Sequence, residues 1–242
     1  MTLRWHTCFK LSAVLVVSAA ALKAANVSGT VQLKDSSADS VNKRRDYSGV
    51  VVSLTPVNQS APAPSAKHAV MLQKNKMFTP HILPVLAGST VDFPNSDPIF
   101  HNAFSSYSGQ IFDVGLYPPG TSRSVRFVRP GVVRVFCNIH PSMSSVILVL
   151  NTPYFISTVK DGSFQLDVPP GIYELNVFHE RSTETTLHNL TQRVVVTEEP
   201  VKVLQPVVIS EGGFLHAPHK NKYGKEYTPA PDDKSVYPGV RN

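Results

Sequence analysis

The stretch Val132-Val133-Arg134-Val135-Phe136-Cys137-Asn138-Ile139-His140-Pro141-Ser142-Met143 constrains the fold more than any other. Its first half is rich in β-branched and aromatic residues and reads as a β-strand. The strand runs directly into Cys137, with His140 three positions on and Met143 three beyond that. Thiolate, imidazole and thioether therefore issue from one short loop, which Pro141 stiffens by fixing its own φ. That donor set suits copper. A second imidazole has to come from elsewhere, and His101 stands in a loop of the right kind, 36 positions earlier. Four such side chains meet only if the rest of the chain is a scaffold that brings them together.

The surrounding pattern is that of a sheet scaffold. Segments 26–33, 50–54, 90–93, 124–128 and 145–150 are strand-like, and Gly88-Ser89, Pro118-Pro119-Gly120 and Pro130-Gly131 are turn signals between some of them. Short strands at regular spacing predict an all-β sandwich or barrel. Beyond Pro153 the pattern starts again. Asp161-Gly162 is a hairpin signal. Phe164, Leu166 and Val168 alternate, Pro169-Pro170-Gly171 turns the chain, and Tyr173, Leu175 and Val177 alternate in turn. With strands at 194–196, 201–204 and 207–209, this predicts a second, small β-sandwich of about 60 residues, near the lower limit for folding alone.

The expected division is a signal peptide at 1–24, an N-terminal β extension and linker at 26–66, a central domain at 67–150, the second sandwich at 152–211 and a disordered tail at 212–242. Arg4 and Lys10 precede an apolar run at 11–22 that is too short for a comfortable membrane span, so a cleaved secretory leader and no membrane span afterwards are expected. The Pro/Ala/Ser stretch 58–66 reads as the linker. The tail has few aliphatic residues and many Pro, Lys, Asp and Tyr.

The net charge of +6 falls to about +3 once the leader's three basic residues are removed. That is too mild for nucleic-acid binding, and no basic patch interleaved with aromatics accompanies it. Of the two cysteines, Cys8 lies in the leader, which leaves Cys137 as the sole thiol of the mature chain. In an oxidising compartment such a thiol needs burial or a metal. Structural zinc sites usually take more than one Cys, and haem attachment lacks its second Cys. The plain alternative is a buried, unreactive cysteine beside a surface histidine, with Met143 as core filler. No phosphate loop or Gly-x-Ser-x-Gly elbow is present, and His179-Glu180 is followed by Thr at position 183 rather than a second zinc-binding His. A carrier rather than an enzyme is expected. His81 reads as structural, and His216 and His219 as solvated residues of the tail.

Residues 137–143 resemble the copper loop of the cupredoxins, and their short spacing is similar to that of amicyanin. Asp92-Phe93-Pro94-Asn95-Ser96-Asp97, followed by His101-Asn102, is similar to the cupredoxin segment leading to the first histidine ligand. The run from about 71 to 150 resembles the plastocyanin-like proteins that carry the label methylamine utilisation protein. The resemblance implies a Greek-key β-sandwich, one mononuclear type 1 copper held by His101, Cys137, His140 and Met143, and an Asn102 that ties the two ligand loops together. It implies one-electron transfer by a periplasmic or secreted protein, with a redox partner such as a c-type cytochrome or a periplasmic oxidoreductase. Asp161-Gly162-Ser163-Phe164, Val168-Pro169-Pro170-Gly171 and Tyr173 resemble the carboxypeptidase regulatory-like domain, a small transthyretin-like sandwich that implies support or docking. A copper carrier or buffer on the same ligands, and a non-redox docking protein, stay open as alternatives. The copper reading requires the Cys and His donor atoms to lie within about 3 to 4.5 Å of one another.

Overall fold

Two strands early in the described chain decide how it is divided. In the computed structural model, which describes residues 24–58, 67–106, 109–203, 205–214 and 219–227, β1 (Ala25–Lys34) and β2 (Val51–Pro56) have no partner among the strands that follow them directly. They pair with the last third of the chain instead. There β13 (Phe155–Ser157), β14 (Ser163–Val168), β15 (Gly171–Phe178), β16 (Gln192–Val196), β17 (Val201–Lys202) and β18 (Val207–Ser210) form two sheets around them. One has the order β14-β1-β17, with β18 continuing along β1, and the other β13-β2-β15-β16. The register sets Val27 opposite Leu166 and Leu54 opposite Leu175. Val27, Val31 and Leu33 of β1 then share one buried cluster with Leu54, Phe164, Tyr173, Leu175 and Ile209.

The remaining strands form a second unit inside that one. They are β3 (His68–Val70), β4 (Leu72–Lys74), β5 (Met77–Thr79), β6 (Ile82–Leu86), β7 (Ser89–Pro94), β8 (Phe104–Ser105), β9 (Phe112–Asp113), β10 (Ser122–Phe127), β11 (Gly131–Phe136) and β12 (Ser144–Leu150). Their sheets run β10-β7-β3 and β6-β12-β11-β8-β9, with β4-β5 as a separate ribbon. Met71, Phe93, Tyr117, Phe127, Val133, Val135, Cys137, Met143 and Ile147 are buried together between them. Side chains of this size stabilise by about 1.5–3 kcal/mol each when fully buried. This core surrounds the end of β11, which Cys137 directly follows.

The fold is almost all-β. Besides the strands, the described residues hold two short helices, α1 (Asp39–Asn42) and α2 (Glu184–Asn189), the latter capped by the Thr183 hydroxyl accepting from Thr186 N–H at 3.1 Å. Two expectations differ from the observed pairing. Residues 26–56 are part of the outer unit rather than an extension, so strands 68–150 lie within the connection between β2 and β13. That pairing explains how a stretch of only about 60 residues closes a core: two strands come from the far end of the chain. Asp161-Gly162 joins β13 and β14, which lie in different sheets, so it crosses between layers instead of closing a hairpin. Its geometry still requires glycine, with φ +80° and the Val31 carbonyl against the position a Cβ would occupy.

His81, just before β6, hydrogen-bonds Glu180, just after β15, at 2.6 Å and so links the two units. On the outer unit, Glu211 accepts from His179, Arg181 and Ser36. No helix among the described residues is long and apolar enough to cross a membrane. Leader residues 1–23, linker residues 59–66, and residues 215–218 and 228–242 of the tail lie outside the described residues.

Candidate metal centre

β11 delivers Cys137 to the edge of the inner core, and the loop after it turns back at once. Met143 N–H donates to the His140 carbonyl at 3.1 Å, and Cys137 N–H to the Met143 carbonyl at 3.2 Å. These two bonds close the seven-residue loop, and Pro141 keeps it from straightening. His101 comes from the other side. Its backbone exchanges two hydrogen bonds with Tyr117, at 3.2 and 2.9 Å, in an isolated bridge. Tyr117 is buried, and its hydroxyl donates to the Phe93 carbonyl at 2.9 Å, anchoring that bridge to β7.

The outcome is a cluster of three donors. His101 Nδ1 lies 3.9 Å from Cys137 Sγ, and His140 Nδ1 lies 3.5 Å from it. The three ligand atoms all fall within 4.8 Å of one another. The Cys–His separations lie inside the expected range, and the set as a whole spans slightly more. The imidazole rings meet edge-on, with centroids 4.8 Å apart. Met143 is fully buried in the same core as Cys137, at the far end of the closed loop.

Asp97 is the residue that sequence reasoning passed over. Its carboxylate accepts from His101 Nε2–H at 2.8 Å, from Asn75 N–H at 2.6 Å and from Lys76 N–H at 2.8 Å. The bond to Nε2 places the proton there and leaves the Nδ1 lone pair facing Cys137. Burial pushes the Asp97 carboxyl up, but the bonds from Lys76, His101 and Asn75 outweigh it and hold the group below the usual carboxylate range. Burial holds the His101 imidazole below its ordinary value against the pull of Asp97, which favours the neutral ring. The sequence signal for Asp97 was its position four residues before His101, in an Asn-Ser-Asp turn where Asn95 Oδ1 accepts from Asp97 N–H at 3.0 Å.

Burial raises the Cys137 thiol, opposed by backbone N–H groups of Ile139, Asn102 and His140 directed at the sulfur. Those dipoles favour a thiolate once a cation shares the pocket. Asn102 ties the two ligand loops as the resemblance implied: its Oδ1 accepts from Asn138 N–H at 3.3 Å, and its Nδ2 donates to Asp113 at 2.7 Å and Gly115 O at 2.9 Å. A neutral imidazole with its other nitrogen fixed, a second imidazole and a thiol among N–H donors make a soft, mixed N/S set that fits copper. His219 is not on a free tail. Its Nε2–H donates to the Pro141 carbonyl at 2.7 Å, beside the cluster.

No protein-family model matches the chain. No curated protein matches it either. Solved structures similar to part of it include a copper-containing nitrite reductase from Thermus scotoductus, 25% identical with a TM-score of 0.34, over 40% of this chain and 25% of that one. A purple cupredoxin from Nitrosopumilus maritimus is 22% identical with a TM-score of 0.32, over 34% of this chain and 99% of its own. Amicyanin from Paracoccus versutus is 19% identical with a TM-score of 0.32, over 41% and 97%. The chain therefore spans a quarter of the length of the nitrite reductase.

Proposed function

We propose that the chain is a cupredoxin-like electron carrier that holds one copper ion with His101, Cys137 and His140, and with Met143 as a weak fourth ligand. The observation that carries this reading is the convergence of one sulfur and two imidazole nitrogens within 4.8 Å, one of them with its tautomer set by Asp97. Copper in such a site supplies one-electron chemistry, Cu(II) to Cu(I) and back. The chain's own part is to hold still. The closed 137–143 loop, the Tyr117 bridge to His101 and the Asn102 tie limit how far the ligands move between oxidation states, which keeps reorganisation small. The half-buried His140 ring offers an edge to solvent while His101 and Cys137 are buried, so an electron enters or leaves past His140.

On this reading the protein is a carrier rather than an enzyme, works in the periplasm after loss of its leader, and exchanges electrons with a c-type cytochrome or a periplasmic oxidoreductase. The inner unit would be the plastocyanin- or amicyanin-like domain of a protein of the methylamine utilisation label, with the outer unit a carboxypeptidase regulatory-like support. The test is optical. Copper-loaded protein should show an intense visible charge-transfer band, and Cys137→Ser should abolish it, because that band requires a thiolate. Colour that survives Cys137→Ser, or copper-loaded protein with no such band, would overturn the proposal.

A further inference from the structure

Residues 219–227 cross the ligand loop, with contacts to it that span 78 to 90 positions and one to Asp113 that spans 109. The Tyr227 hydroxyl donates to the carbonyl of Cys137 itself at 2.7 Å and lies 3.2 Å from His219 Nδ1. The His219 ring stacks on Phe136, the residue before Cys137, at 4.1 Å between centroids. Its Nε2–H holds the carbonyl of Pro141, the residue after His140. Lys222 closes a circuit. Its backbone N–H donates to Asn138 Oδ1 at 3.0 Å, and its ammonium pairs with Asp113 at 2.8 Å. Asp113 accepts from Asn102, and Asn102 accepts from Asn138. The ring of Lys222, Asp113, Asn102 and Asn138 joins this segment to both ligand loops.

The segment is stiff in its own right. Asn221 Oδ1 accepts from Tyr223 and Lys225 N–H at 3.0 and 3.1 Å, Asn221 N–H donates to the Lys225 carbonyl at 2.9 Å, and Gly224 takes the left-handed turn at φ +72°. It is a preformed turn docked by specific bonds.

We infer that residues 219–227 are a strap belonging to the metal centre, in which Tyr227 and Lys222 are positioning residues that hold the Cys137–Pro141 loop against the His101 loop. The inference deepens the copper reading and rests on it for its metal-dependent part. Such outer contacts orient ligands and fix how tightly a metal is kept. The strap would set the geometry of Cys137 through its carbonyl and resist opening of the loop while leaving the half-buried His140 its edge to solvent.

The test uses the full chain in a Cys8→Ser background, so that Cys137 is the single thiol. Tyr227→Phe removes only a hydroxyl, and Lys222→Met breaks the Asp113 pair while keeping the stem. Metal-free Cys137 should react with a thiol reagent about fivefold faster in each variant, the cost of one hydrogen bond to local opening. Bound copper should pass to a chelator about tenfold faster. The charge-transfer band should shift in Tyr227→Phe with the thermal midpoint and circular dichroism of the whole chain unchanged. Lys225→Ala, on the exposed side of the same turn, should match the parent. Parent-like labelling and copper release in both Tyr227→Phe and Lys222→Met would overturn the strap. Failure of the copper reading would show separately, as a parent without the band, because the labelling arm needs no metal.

Discussion

Asp97→Asn offers a sharp probe of how the centre is built. The change is nearly isosteric, but Asp97 accepts three hydrogen bonds, from Asn75 N–H, Lys76 N–H and His101 Nε2–H. An amide keeps one accepting oxygen and turns the other into a donor. Oδ1 accepts from Asn75 N–H and Oδ2 from both Lys76 N–H and His101 Nε2–H, so an amide whose oxygen stays with Asn75 turns its NH2 toward Lys76 N–H and His101 Nε2. The ring then has to accept there and carry its proton on Nδ1, the atom 3.9 Å from Cys137 Sγ. Bonds to a charged group contribute about 1.5–3 kcal/mol each. Losing most of two of the three should destabilise the protein by about 3 kcal/mol, or about 6–12 °C in thermal midpoint for a chain of this size. Copper affinity should fall by about 10- to 100-fold, the usual cost of losing an outer partner of a ligand. Chelator competition followed by absorbance gives the affinity, and a thermal melt of the metal-free protein gives the stability. Asp92→Asn, whose carboxylate bonds His68 and Ser124 instead, is the control and should keep parental affinity. Unchanged copper affinity in folded Asp97→Asn would refute the claim that this carboxylate sets the His101 ring.

Three further outcomes follow from the same structure. The His81–Glu180 pair is pH-dependent: the hydrogen bond that His81 donates to Glu180 raises the imidazole against burial, so its contribution is full below 6.5 and is lost as pH rises through the elevated folded value. Glu180 is held low by His81 despite its burial, so the pair also weakens as pH falls through that depressed value. The difference in thermal midpoint between the parent and His81→Gln should therefore shrink from about pH 6 to about pH 9, and a constant gap would show that the pair adds nothing. Gly162→Ala should cost about 2–4 kcal/mol, because φ +80° strains an L side chain and its Cβ meets the Val31 carbonyl; a parental melting curve would mean that β1 does not sit on this turn. Asn102→Ala removes the tie to Asn138 and the bonds to Asp113 and Gly115, and should weaken copper by about tenfold in chelator competition; parental affinity would leave the tie without a role.

The inner unit was legible in the sequence where the information is local. The strand into Cys137, the turn at Pro141 and the spacing of His140 and Met143 all lie within one dozen residues, so backbone preferences and ligand chemistry suffice. Alternation likewise marked β1, β14 and β15 as strands, as an apolar run marked β2. It does not say which strand lies beside which, because a period of two fixes the buried face and leaves the partner open. That is why β1 and β2 read as an extension, although Asn26 and Asp167, 141 positions apart, are hydrogen-bonded to each other. Asp97 was visible as a carboxylate in a turn, but its role needed the fold to bring the 75–76 backbone and the His101 ring to it. Residues 219–227 were hardest to place. Their composition is that of a disordered tail, and what orders them is a handful of bonds to Cys137, Asn138, Pro141 and Asp113 rather than an apolar core.

The most direct measurement is the position of the metal itself. Crystals of the copper-loaded chain, with anomalous data collected at the copper edge, should show one peak bonded to Cys137 Sγ and to Nδ1 of both His101 and His140, at about 2.0–2.3 Å, with Met143 on the fourth side. A peak elsewhere, at His81 or at the His179–Glu211 pair for instance, or no copper between Cys137 and the two imidazoles, would contradict the account.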